Sequence, residues 1–115
     1  MVKRATTSMS EPVYHVLAAL LDGPLHGYGI IKQAERQSGG GIRLAVGTLY
    51  GALDRMSGSG LVVVDREETV QNRPRRYYRI TDAGRQAVTD EAARMEQAAK
   101  VVTRRSIPGT KAVLA

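Results

Sequence analysis

The 115-residue chain carries 17 Lys/Arg against 11 Asp/Glu, a net charge of +6, with 43% hydrophobic residues and no cysteine. A chain of this size makes one compact domain plus an appendage, and the missing cysteine excludes disulfides, thiolate nucleophiles and thiolate-held zinc. The longest apolar run, Val16 to Leu21, is six residues against the ~20 that a membrane helix needs, so the positive charge asks for an anionic partner, nucleic acid first and a membrane surface second.

Met1 to Ser10 has no hydrophobic periodicity and reads as a flexible basic arm with Lys3 and Arg4. No apolar stretch follows that would suit secretion, so the cytoplasm is the expected compartment. Ser10 is a good N-cap, and Val13, Val16, Leu17, Leu20 and Leu21 make one helical face that ends at Asp22-Gly23-Pro24. A second helix is expected over 27–37, with Ile30, Ile31 and Ala34 inward, closed by the linker Gly39-Gly40-Gly41. A third runs over 46–57 with Val46, Leu49, Leu53 and Met56 inward. Leu61 to Val64 suits a strand and Arg75 to Thr81 its antiparallel mate, with a polar loop from Glu67 to Pro74 between them. Glu67 and Glu68 are expected to cap that loop. Thr81 is the N-cap of a last helix reaching Arg105, and residues 106–115 are expected to be a disordered tail.

Three short helices, a β-hairpin and a long helix make a mainly α fold, a winged helix-turn-helix with a long C-terminal dimerisation helix. The expected division is an arm over 1–10, a winged-helix DNA-binding domain over 11–81, the dimerisation helix over 82–105 and the tail. With Phe and Trp absent and Tyr the only aromatic, the core is expected to be aliphatic and thin, which favours a partner subunit.

Arg73 to Arg79 packs four guanidinium groups and two phenols into seven residues with no acid among them. Strand alternation puts Arg75, Tyr77 and Arg79 on one face and Arg76 and Tyr78 on the other. Guanidinium forks pair phosphate oxygens bidentately, so this wing suits a nucleic-acid backbone; a charge-protected edge strand is the alternative. On the third helix Gly47, Thr48 and Gly51 leave a small, polar face suited to close approach in a major groove, although close packing on a neighbouring helix would also explain the glycines. Tyr50 either enters the core or reaches a phosphate. Val88, Ala92, Met95, Ala99 and Val102 recur at heptad spacing and read as a dimer seam, or as packing onto the parent domain. An effector, if bound, would lie near Met9, Tyr14, Val88, Ala92 and Met95. His15 and His26 lack partners at ligand spacing, and no nucleophile-base set exists, so no metal, cofactor or enzymatic activity is expected.

Four segments carry a family resemblance: Leu25-His26-Gly27-Tyr28-Gly29-Ile30, Gly47-Thr48-Leu49-Tyr50-Gly51-Ala52-Leu53, Gly60-Leu61-Val62, and Arg75-Arg76-Tyr77-Tyr78-Arg79-Ile80-Thr81-Asp82-Ala83-Gly84-Arg85. In this order and spacing the chain resembles the PadR family of bacterial transcriptional regulators, in its smaller branch. The resemblance implies a winged-helix homodimer that represses transcription at an inverted-repeat operator in double-stranded DNA. It implies DNA contacts at Thr48 and Tyr50 on the recognition helix and at Arg75, Arg76 and Tyr77 on the wing, with Thr81 and Gly84 at the strand-to-helix corner. Ala45-Val46 stands where the family often has Ser-Pro, which removes an N-cap hydroxyl. The chain also lacks the Trp with which some relatives sandwich flat ligands. A winged-helix protein-interaction module and a non-specific polyanion binder are the alternative readings.

Overall fold

The computed structural model describes residues 9–106; the expected basic arm before Met9 and the tail after Ser106 lie outside the described residues. Helix α1, Glu11–Ala19, starts where the Ser10 hydroxyl accepts the Val13 N–H at 3.3 Å. It stops earlier than the sequence pattern suggests, and its last apolar residues, Leu20 and Leu21, continue in turn conformation. A two-residue strand β1, Leu25–His26, follows and leads directly into α2, Gly27–Gln37. Gly39 and Gly40 then adopt φ of +64° and +87°, and the Gly40 N–H returns to the Glu35 carbonyl, closing α2 as a left-handed cap does. Helix α3 spans Val46–Gly58, strands β2 and β3 span Val62–Val70 and Arg73–Ile80, and α4 spans Asp82–Ser106.

The sheet is antiparallel in the order β1-β3-β2, so β1 is a third strand that the two-stranded expectation did not contain. Two residues of pairing leave no periodicity to detect; Leu25 and His26 are held only because Tyr78 and Tyr77 lie beside them. The expected polar loop over Glu67–Pro74 is instead mostly strand. Cross-strand pairs continue to Val70↔Arg73, and the turn is Gln71-Asn72 alone, at φ of +53° and +63°. Left-handed φ at both central residues matches the hairpin's own twist. Glu67 and Glu68 therefore sit within β2, not on the tip.

Helices α1, α2 and α3 enclose a core of Val16, Leu17, Leu20, Ile30, Leu49 and Leu53, all at most 1% exposed. Burying each such side chain stabilises the fold by about 1.5–3 kcal/mol. Val62, Tyr78, Ile80 and Val88 close this core from the sheet and α4. Tyr78 corrects the expectation of a wholly aliphatic core. Val46, expected inward, is 61% exposed, whereas Leu49, Leu53 and Met56 are buried as expected and Ala52 joins them on the inward face. As the first residue of α3, Val46 lies before the turn that meets α2.

The fold turns a sharp corner from β3 into α4. Thr81 Oγ1 accepts the Gly84 N–H at 3.0 Å and donates to the Gly60 carbonyl at 2.6 Å, while the Thr81 N–H bonds the Leu61 carbonyl at 3.0 Å. Gly84 lies so close to the Leu61 carbonyl and Ile80 that a Cβ there would collide with both. Backbone cannot yield as a flexible side-chain tip can. Gly84→Ala is expected to destabilise the protein by about 1–3 kcal/mol, read as a lowered midpoint in thermal or urea unfolding; an unchanged midpoint would contradict this close approach.

Candidate nucleic-acid interface

The N-terminal end of α3 presents Gly47 and Thr48 to solvent. Its capping position is Ala45, which supplies no side-chain hydrogen bond, so first-turn N–H groups are left without a side-chain acceptor. A Cβ at Gly47 would meet nothing within 4 Å, and one at Gly51 would meet only the Arg55 guanidinium at 3.6 Å. This removes the close-packing explanation for both glycines. Each costs the helix about 1 kcal/mol relative to Ala, with no steric demand from inside the protein to justify it.

Tyr50 is 42% exposed and neither enters the core nor points straight outward. The hydroxyl end of its ring rests on Gly27, at the start of α2, where a Cβ would collide with it. There it helps line an open cleft of about 580 Å³ between the two helices and the wing. His26 and Tyr28 from the β1–α2 junction, Tyr50 and Asp54 from α3, and Glu67, Arg73, Arg75 and Arg76 from the wing converge on it. Tyr28 and His26 were not expected on this face. An aromatic between two glycines at a helix start was the available signal, but only the fold shows that it meets the wing.

An extra residue governs how the wing's charges are arranged. Val64 pairs with Tyr78 and Arg66 with Tyr77, so Asp65 is a β-bulge. A bulge reverses the alternation of the residues beyond it. Consequently Arg66 lies against Tyr77, its guanidinium carbon 3.9 Å from the ring centre, and Glu67 comes opposite Arg76. The arginine segment is acid-free in sequence but not in space. Arg76 Nε donates to Glu67 at 3.1 Å, Arg79 meets Asp65 at 3.3 Å, and Arg66 is shared between Asp65 and Glu68. The Glu67 pairing holds Arg76 firmly protonated, and the hydrogen bond from Arg66 holds the Glu68 carboxyl below its ordinary range. Arg73 and Arg75 form no ion pair among the described residues. Five arginines and three carboxylates thus share β2 and β3, and the unpaired charge is concentrated toward the tip.

The heptad residues divide. Val88 is already buried in the subunit core, where α4 packs on α1, and Ala92 is half-buried. Met95, Ala99 and Val102 are exposed on a helix whose last fourteen residues are open to solvent except for the half-buried Lys100. Val88 therefore serves the monomer core, and the outward seam starts near Ala92. Met9 and Tyr14 pack half-buried against the core beside α4. Buried Glu91 is bonded to Arg94 and to the Met9 N–H, and both contacts hold its carboxyl below the ordinary range. Among the described residues, no helix is long and apolar enough to cross a membrane.

The profile of the transcriptional regulator PadR-like family matches residues 16–90. A transcriptional regulator of Mycobacterium tuberculosis is 36% identical over 88 residues, covering 76% of this chain and 78% of its own. The crystal structure of a PadR family transcriptional regulator from Eggerthella lenta superposes with a TM-score of 0.66 at 28% identity, covering 80% of this chain and 78% of the other. The fold is also similar to that of Bacillus subtilis PadR in complex with operator DNA, with a TM-score of 0.60 at 24% identity over 68% of this chain and 44% of that one.

Burial, then the charge of Arg75, pushes His26 below the usual imidazole value of 6.5. Its ring packs edge-on to Tyr77, 5.4 Å between centroids. The folded state therefore binds this proton more weakly than the unfolded chain does. The stability this confers is complete above pH 6.5 and is lost as pH falls through the lower folded midpoint. An NMR titration should find the His26 midpoint below 6.5, and Arg75→Ala should move it upward. A midpoint at or above that of a free imidazole would contradict the placement.

Proposed function

The chain belongs to the PadR-like family of transcriptional regulators, and from this we propose that it is a homodimeric repressor in which the open end of α3 reads an inverted-repeat operator in double-stranded DNA. The observation that carries the reading is the pair of glycines at 47 and 51, whose missing side chains relieve no steric conflict inside the subunit. A major groove supplies the missing demand, because a helix end without side chains or a side-chain cap lets backbone N–H groups approach phosphate and base edges. Thr48 gives that end a hydroxyl for hydrogen bonding, and the Tyr50 hydroxyl lies where the adjacent backbone would pass. Arg73 and Arg75 supply the freely available charge of the wing. Arg76, Arg79 and Tyr77 contribute through groups that already have partners within the wing.

Two subunits joined through Ala92, Met95, Ala99 and Val102 would set the two α3 helices on half-sites about 34 Å apart in adjacent major grooves. The small residues allow the α4 helices to approach closely. A small apolar effector seated near Met9, Tyr14, Val88, Ala92 and Met95 would alter the angle at which α4 leaves the domain, and with it the spacing of the recognition helices. Two similar proteins support this reading: the Mycobacterium transcriptional regulator and Bacillus PadR, whose crystal contains operator DNA.

Footprinting on the DNA upstream of the gene, followed by anisotropy titrations across a salt series, tests the DNA-binding reading. Arg75→Ala should weaken binding to every duplex and reduce the salt slope by about one. Gly47→Ala should stabilise the free protein by up to about 1 kcal/mol yet weaken binding to the protected sequence. Retained affinity in both variants would refute the assignment; retention by an acidic protein but by no duplex would favour an interaction module, and affinity blind to DNA sequence a polyanion binder. Dimerisation is tested apart from DNA: Met95→Glu should shift the sedimentation coefficient from dimer to monomer while leaving the helical content unchanged. A wild-type protein that sediments as a monomer at all accessible concentrations would remove α4 from this role.

A further inference from the structure

Phosphate binding by itself does not account for the acids on the wing. A hairpin devoted only to gripping phosphate loses free charge to carboxylates, yet β2 carries Asp65 at its bulge and Glu67 and Glu68 opposite Arg76 and Arg75. Asp65 and Glu68 bond Arg66 and Arg79, and neither carboxylate is among the cleft-lining residues. Glu67 does line the cleft, with Arg76 beside it and Asp54 as the cleft's other acid. Asp54 forms no ion pair among the described residues. Glu67 bonds Arg76 Nε at 3.1 Å, and both side chains are more than half exposed. The bulge at Asp65 puts it there; unbroken alternation would have turned Glu67 to the opposite face.

Resting on the DNA-binding reading above, we propose that Glu67 is a specificity-determining residue: its carboxylate occupies Arg76 in the place a backbone phosphate would take, and gives way only to a correctly seated duplex. A carboxylate tethered one strand away is always present at high local concentration, whereas a phosphate on randomly engaged DNA arrives with poor geometry. When the α3 end is docked in its own site, the duplex is fixed and a phosphate is held at the cleft mouth, so the exchange of partners on Arg76 is nearly balanced. On any other sequence the exchange fails, and Arg76 stays with the carboxylate and is lost to the duplex. Binding to unrelated DNA is therefore suppressed more than binding to the operator, which is selectivity by penalising the wrong partner.

The test uses the full chain, a duplex enriched from a random pool by the wild-type protein, and a scrambled duplex of the same composition, each titrated over a salt series. Glu67→Gln keeps the shape and the exposed position. It is expected to tighten binding to the scrambled duplex about ten-fold and to the enriched duplex about two-fold or less, with a scrambled-duplex salt slope steeper by about one. In an Arg76→Gln background the same substitution should change neither affinity. Equal tightening on both duplexes, no tightening on the scrambled one, or an undiminished effect without Arg76 would each overturn the proposal. If the wild type holds the enriched duplex and Glu67→Gln changes nothing, only the role of Glu67 falls. If the wild type retains neither duplex, the DNA-binding reading falls with it.

Discussion

The cleft side of the molecule depends on the corner where Thr81 ties the end of β3 to the start of β2. One hydroxyl, as donor to the Gly60 carbonyl and acceptor of the Gly84 N–H, links the segment leaving α3 to the first turn of α4. The neighbouring Thr81 N–H bonds the Leu61 carbonyl, and Gly84 packs on that same carbonyl without room for a side chain. Helix α3, the β2–β3 hairpin and α4 thus meet within a few residues of one another. A change in the angle of α4 cannot be absorbed there by a flexible loop, because the backbone groups are already paired. This gives a physical route by which the packing of α4 on α1 reaches the orientation of α3.

Around that corner the molecule separates two kinds of surface. Its core side is closed by aliphatic groups from three helices and by Tyr78, with Val88 as the contribution of α4. Its open side is the cleft, where tyrosines, a histidine with depressed basicity and arginines stand together. Tyr77 stabilises this side by serving two neighbours: the His26 ring meets it from β1, and Arg66 covers it from β2. The cationic wing is consequently a braced hairpin in which Arg66, Arg76 and Arg79 are held by neighbours, while Arg73 and Arg75 near its tip carry no ion pair among the described residues. Bracing lowers the entropy that a hairpin loses on ordering against any rigid partner, and it also ties up charge that a count of arginines would treat as available.

The limits of reading this protein from its residues are visible at particular positions. The Ser10 and Thr81 caps, the Gly39-Gly40 stop and the inward faces of α1 and α2 all rest on relations within about four residues, and each was evident in the sequence. Val46 was misplaced because periodicity cannot distinguish a residue inside a helix from one at its exposed first turn. The strand at Leu25–His26 was invisible because its only cause is the presence of β3 beside it. Glu67 and Glu68 looked like loop caps because polar strand residues facing solvent on a hairpin carry no apolar alternation.

The residues alone therefore settled the order of the helices and the hairpin, the family and the location of its basic segment, since each of these is written in short-range spacing and in motif identity. Which arginines are free was decided by folding. The net charge of +6 counts every arginine equally, and the segment Arg73 to Arg79 looks unopposed along the chain. A single bulge residue, Asp65, shifts the facing register of the hairpin and brings carboxylates onto Arg76 and Arg79. Charge pairing between strands depends on register, and a one-residue change in register reverses the face of every side chain beyond it.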